Sequence, residues 1–206
     1  MFRTLVERSK RKVSIHKELI FIGMNKAIIK NDAHVEKDGS IVLTSDLHQK
    51  GEMILLKKID ITSEPWMMEA VVSMKDNMGI SDEDGKGGDG VWFKFNDNNL
   101  VIGLDTFMNE SNKSGNEINL KSEGEFIAQQ ACPIRLNSGK KINLRVVCNP
   151  EQPSMVAVLI NNKPVLSYVY KSIPITEIFK NKPAKFSIYS FTGDAGSVQT
   201  VHGVTF

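Results

Sequence analysis

The chain is 206 residues long, with 41% hydrophobic and 24% charged residues, the proportions of a globular protein with a sizeable core. Lys and Arg (26) nearly balance Asp and Glu (24), which excludes nucleic-acid binding through bulk charge. No apolar run approaches the roughly 18–20 residues of a membrane-spanning helix, and two cysteines cannot build a disulfide framework.

Residues 1–17 form a basic arm in which Arg3, Arg8, Lys10, Arg11, Lys12 and Lys17 are interrupted by Phe2, Leu5, Val6, Val13 and Ile15. Such an arm either touches an acidic partner or membrane surface or is a solvated lead-in. A secretory signal would need an uninterrupted apolar stretch and a small-residue cleavage site, and neither is present. The expectation is an intracellular or virion location, with Cys132 and Cys148 as buried thiols. Residues 18–206 read as one domain.

Within that domain, two-residue alternation replaces helical periodicity. In Lys141–Val147, Ile142, Leu144 and Val146 point one way while Asn143 and Arg145 point the other, as a half-buried strand requires. In chain order, further strands are expected at Ala27–Lys37, Ser40–Ser45, Glu52–Ile61, Trp66–Lys75, Gly90–Asn96 and Asn99–Met108. They continue around Ile118 and Leu120, then at Phe126–Cys132, Ser154–Asn161, Val165–Tyr170, Phe186–Phe191 and Val198–Phe206. Turn residues separate them: Lys37-Asp38-Gly39, Asn96-Asp97-Asn98-Asn99, Ser138-Gly139 and Asn161-Asn162-Lys163-Pro164. One helical turn is expected over Ile175–Lys180. This pattern predicts an all-β jelly-roll sandwich of two antiparallel sheets.

Two polar stretches interrupt the rhythm, Asp76–Gly90 and Asn109–Asn116, and long loops on a rigid sandwich are where binding residues sit. Between them, Val101–Asn109 ends an apolar strand with Asp105 and places a carboxamide four residues later. Asp105, the Phe107 carbonyl and Asn109 are oxygen donors of the kind a hard cation such as Ca²⁺ takes, with Asn112 a fourth candidate. Trp92 is out of phase with Val91, Phe93 and Phe95 and is read as buried between layers rather than as a ligand platform. Met67, Met68 and Met74 are read as core filler, and His202 as structural. Asp82, Glu83 and Asp84 read as a solvated acidic loop. No pair of carboxylates alternates along one strand as sandwich glycoside hydrolases require, and no nucleophile elbow is present, so no enzymatic activity is expected.

Asp105-Thr106-Phe107-x-Asn109 resembles the metal-loop signature of the L-type (legume-like) lectins, which have the concanavalin-like sandwich. Gly88-Asp89-Gly90-Val91-Trp92-Phe93 is similar to the family segment whose Asp contacts sugar. Thr192-Gly193-Asp194-Ala195, followed by Val201–Phe206, resembles the C-terminal sugar-contacting loop and last strand, in the form found in animal cargo lectins of the early secretory pathway. The resemblance runs over residues 20–206 in the family's order. It implies a non-enzymatic carbohydrate-binding protein for mannose-type glycans. Asp89, Asn109, Gly193, Asp194 and Ala195 would contact sugar, and Ca²⁺ would sit on Asp105, Phe107 and Asn109.

The chain also departs from the family. Gly103 and Gly115 stand where plant members carry a Glu and a His for a transition metal, so that second site is expected to be absent. The loop from Asn109 to Glu117 is short, and a tight turn replaces the glycine-rich loop before Asn99. Cys132 resembles one half of the animal-lectin disulfide, but Cys148 does not occupy the other half's place. Asn109-Glu110-Ser111 and Asn112-Lys113-Ser114 fit the glycosylation acceptor pattern and are read as chance matches. The implied partner is a glycan or glycoprotein, with no nucleic acid and no membrane span, and a homo-oligomer is compatible with the reading. The alternative is a structural or assembly protein, such as a virion component of a large DNA virus, that reuses the sandwich without binding sugar.

Overall fold

The computed structural model describes residues 17–22, 25–79, 89–107, 115–151 and 153–206. The first strands are β1 (Lys17–Ile22), β2 (Asn25–Asn31), β3 (His34–Val35), β4 (Ile41–Thr44) and β5 (Lys50–Leu55). They are followed by β6 (Trp66–Gly79), β7 (Val91–Phe95), β8 (Leu100–Asp105), β9 (Glu117–Ser122) and β10 (Glu125–Ala131). The chain closes with β11 (Ile142–Asn149), β12 (Met155–Ile160), β13 (Lys163–Val169), α1 (Ile175–Ile178), β14 (Phe186–Phe191) and β15 (Ala195–Thr205).

An eight-stranded sheet runs β1-β2-β5-β14-β7-β8-β9-β10, and a seven-stranded sheet runs β13-β12-β11-β6-β15-β4-β3. Every pairing is antiparallel, and β14 and β15 return from the end of the chain into the middle of the two sheets. Phe93, Phe95 and Phe186 from the first sheet meet Met68, Val72, Leu144, Val146 and Val158 from the second, all fully or almost fully buried. Truncating one of those rings to Ala would cost about 3–5 kcal/mol.

The expected turns form for the expected reason. Asn96 and Asp97 have φ of 49° and 60°, and Asn161 and Asn162 have φ of 50° and 64°. Asn161 and Asn162 make a two-residue hairpin between Ile160 and Lys163, Asn96 and Asp97 begin a four-residue turn between Phe95 and Leu100, and Asn and Asp tolerate the left-handed conformation that both turns need.

Four expectations need correction. Ala27–Lys37 is two strands in two sheets: Asn31 has φ of 60°, and the Asp32 carboxylate, which accepts from the Lys50 N–H at 2.8 Å, holds the corner where the chain crosses over. The strand expected at Glu52–Ile61 ends at Leu55; Ile59 makes an isolated bridge to Ala184, and Asp60 then turns the chain by binding the backbone and hydroxyls of Thr62 and Ser63. Met67 is 44% exposed, since it is one residue out of phase with the core-facing Met68. Lys17–Ile22, where no strand was expected, is an edge strand paired with β2. The arm itself and Asp82–Asp84 lie outside the described residues. Among those described, no helix is long and apolar enough to cross a membrane.

Candidate functional site

Antiparallel register brings several of the candidate residues to one rim of the sandwich. The start of β7 lies against the end of β8 and the end of β14, with Val91 opposite both Leu104 and Ser190. Asp105, at the end of β8, is opposite Glu117 at the start of β9. Asp89 therefore stands beside the end of β8, and Gly193–Ala195 continue from β14 at the same edge.

Gly90 makes that approach close. Its φ is +87°, and a Cβ there would lie 1.9 Å from the Leu104 carbonyl oxygen and 3.0 Å from Asp105 Cα, so only glycine fits. Gln199 reaches across from β15 and is fully buried. Oriented so that its oxygen meets donors and its nitrogen acceptors, its carboxamide donates to the Gly90 carbonyl at 3.0 Å and accepts from the Gly90 N–H at 3.2 Å. The backbone next to Asp89 is thus held by the opposite sheet. Asp89 itself is part-buried, and burial raises its carboxyl pKa above the ordinary value. Its backbone carbonyl accepts from Trp92 Nε1–H at 2.8 Å.

Asp105 is 2% exposed. Its Oδ1 accepts from the Phe107 N–H at 3.2 Å, and its Oδ2 accepts from Asn119 Nδ2 at 3.0 Å. Glu117, directly across the ladder, is also 2% exposed, and Asn119 is fully buried. The Asn119 Oδ1 has no hydrogen-bond partner. Two carboxylates facing each other across a strand pair repel, and a cation among oxygen donors relieves that repulsion. The donor set therefore suits a hard cation held by Asp105, Asn119 and the Phe107 carbonyl. Among the described residues no cluster of three or more His, Cys, Asp or Glu exists, so carbonyl and amide oxygens would complete the shell. Asn109, Asn112 and the sequons around them lie outside the described residues.

Gly193–Ala195 are pinned to the β4–β5 connection. The Thr192 hydroxyl donates to the Asp46 carbonyl at 2.6 Å and accepts from the Gln49 N–H at 2.9 Å. The His48 N–H donates to the Gly193 carbonyl at 3.1 Å. The Asp194 carboxylate is open to solvent, 3.4 Å from His48 Nε2, while Ala195 is buried and paired with Gly79.

Trp92 corrects a further expectation. It is 5% exposed but stands outside the core between the sheets, on the outward face of the eight-stranded sheet. Its ring lies on Gly103, where a Cβ would come within 2.4 Å of Cζ3, and beside Tyr189, with centroids 6.3 Å apart. Burial, and then the carboxylates of Asp89, Asp105 and Glu52, push the Tyr189 hydroxyl up to about 12. Sequence reasoning did not single out Asn119, Gln199 or Glu117. All three sit at the polar positions of alternating strands, which look solvent-facing until the partner strand is known.

The remaining reactive side chains are inert. Cys132 and Cys148 are buried and unpaired with each other, and burial lifts the Cys148 thiol to about 12, leaving no thiolate for chemistry. His202 Nε2 lies 2.9 Å from the Ser73 hydroxyl in a structural contact. Asp105 and Glu117 face each other across the strand pair at the rim, and both are buried.

No family model and no curated protein sequence matches the chain. Solved structures do. The carbohydrate recognition domain of Emp47p matches with a TM-score of 0.65 and 16% identity over 86% of each chain. The exoplasmic/lumenal domain of VIP36 in its Ca²⁺/Man-bound form matches with a TM-score of 0.67 and 13% identity, over 86% of this chain and 81% of that one. The metal-free Emp46p carbohydrate recognition domain gives 0.66 and 14%, covering 86% of both chains. The fold is that of an L-type lectin of the cargo-lectin type. In this sandwich the ends of β4, β6, β8, β10 and β14 lie at the rim that carries Asp89 and Asp105, and the eight-stranded sheet falls away beneath it.

Proposed function

We propose that this protein is a non-enzymatic carbohydrate-binding protein whose pocket lies at that rim. Asp89, Asn109 and Gly193–Ala195 contact the sugar, and Ca²⁺ on Asp105, the Phe107 carbonyl and Asn109, joined by Asn119, orders the loops. The observation that carries the reading is the clamp on Gly90. Two sheets and a Cβ-free position hold a part-desolvated Asp89 carboxylate beside buried Asp105. A carboxylate so placed accepts two hydroxyl protons from adjacent sugar positions, and it has already given up part of its water before the sugar arrives. Mannose-type glycans are the ligand class, in keeping with the VIP36 domain in its Ca²⁺/Man-bound and Ca²⁺/Man3GlcNAc-bound forms. The partner is then a glycan or a glycoprotein that displays one.

A glycan array probed in Ca²⁺ with wild type and Asp89→Ala tests this. Wild type is expected to bind mannose-type glycans and Asp89→Ala to lose them. Equal signals from both proteins would remove Asp89 from the site. Silence from wild type on every glycan would leave the structural or assembly reading.

A further inference from the structure

The outward face of the eight-stranded sheet continues downward from the rim, and its second row of side chains is unlike an ordinary solvated surface. Register places Ser187, Lys94, Val101, Lys121 and Phe126 side by side across β14, β7, β8, β9 and β10. Ile54 and Val101 are 8% and 3% exposed, yet neither belongs to the core between the sheets, and the stems of the flanking lysines lie over this face. The Lys94 ammonium sits 3.8 Å above the Tyr189 ring. The Lys121 ammonium sits 4.0 Å from the Phe126 ring centre and 4.8 Å from that of Trp92. Phe191, 39% exposed, lies parallel to Tyr189 at 6.2 Å.

Among the described residues neither Lys94 nor Lys121 belongs to an ion pair. Of the acidic groups on the same face, Glu52 pairs with Lys30 at 3.9 Å, Asp105 accepts from Asn119 and Phe107, and Glu117 is buried opposite Asp105 at the rim. Burial lowers the Lys121 pKa, and the like charge of Lys94 adds to that, against the opposing pull of Asp105. Two ammonium groups two strands apart, about 10 Å between backbones, are therefore left on aromatic faces outside any ion pair among the described residues.

We propose that this row is a second subsite, in which Lys94 and Lys121 bind the negatively charged unit of an acidic oligosaccharide. The inference rests on the rim reading, because it makes one ligand span both places. From Asp105 to Val101 along β8 is about 13 Å, the reach of a short oligosaccharide rather than of a single ring. Charge complementarity favours an anion. The aromatic rings under and beside the ammonium groups favour a saccharide, whose C–H faces pack on them. Two cations beside Glu52 and Asp105 are too few for a long polyanion such as nucleic acid.

Calorimetric titration with three probes tests the proposal: mannotriose, trigalacturonic acid and a sulfated heparin-derived tetrasaccharide. Wild type is expected to bind at least one charged probe about tenfold or more tightly than mannotriose, with the preference shrinking as salt rises. The two charged probes distinguish a carboxylate from a sulfate ester. In Lys94→Met/Lys121→Met, which keeps the apolar stems, the preference should vanish while mannotriose binding stays unchanged. Lys94→Arg/Lys121→Arg should retain it. A preference that survives in the methionine variant, or none in wild type, overturns the proposal. Asp89→Asn separates the two readings: loss of all three probes upholds both. Charged-probe binding that survives Asp89→Asn overturns the spanning ligand, and mannotriose binding that survives it overturns the rim pocket.

Discussion

Gly103 is occupied by its neighbour: the Trp92 ring lies where a side chain would stand, 2.4 Å from a Cβ. Gly103→Ala must therefore tilt an indole that is also tied to the Asp89 carbonyl. Overpacking of this kind costs about 1–3 kcal/mol; urea denaturation should show the loss, and near-ultraviolet circular dichroism should show the displaced ring. Asp89 acts in the opposite sense. Its pKa is raised in the folded state, so its favourable contribution is complete below the unfolded pKa and is lost as pH rises through the folded one. At neutral pH the charged carboxylate thus destabilises the fold. Asp89→Asn in chelator should melt higher than wild type at pH 7, with the gap closing as the solution is acidified. A gap that widens on acidification would contradict the desolvated carboxylate. At this scale the place of Asp105 at the end of an apolar strand was legible from sequence, whereas Asp89 stood out only through the resemblance of Gly88–Phe93 to the lectin segment. Asn119, Gln199 and the burial of Glu117 were not, because their meaning depends on the strand opposite.

Among the elements, β15 does two things at once. It fills the middle of the seven-stranded sheet between β6 and β4, and through Gln199 it grips Gly90 at the foot of β7 in the other sheet. Gln199→Leu fills the volume but leaves the Gly90 N–H and carbonyl without that partner. Such a loss costs about 1–3 kcal/mol for each buried polar group left unmade. Hydrogen exchange should show the Gly90 amide opening faster, and sugar affinity should fall with it; an unchanged exchange rate would remove Gln199 from the site's support. Alternation of apolar and polar residues made most of the strands readable, as in β11, where Ile142, Leu144, Val146 and Cys148 are buried. What it did not reveal is where a strand leaves one sheet for the other. The Asp32–Ala33 corner sits inside a run that alternates well enough to read as a single strand. Nor did it show that Trp92 is buried on the outer face, where its cover comes from Gly103, Tyr189 and Lys121 rather than from the opposite sheet.

For the whole molecule, two sheets fastened face to face present one rim on which loops from both converge, and the proposed activity belongs to that convergence rather than to any one segment. The sandwich class was readable because some dozen short alternating runs with almost no helix leave few other solutions. The grouping of the candidate residues at one rim was not readable, since it joins β7, β8, β14 and β15 from distant parts of the chain. The most direct measurement is calorimetric titration of mannotriose into wild type and Asp89→Asn, each in Ca²⁺ and in chelator. A rim pocket stiffened by a cation and gripped by Asp89 should give heat only for wild type in Ca²⁺. Losing two charge-assisted hydrogen bonds should weaken Asp89→Asn by about 100-fold or more. Binding of equal strength in Asp89→Asn, or no heat from wild type under either condition, would contradict the account.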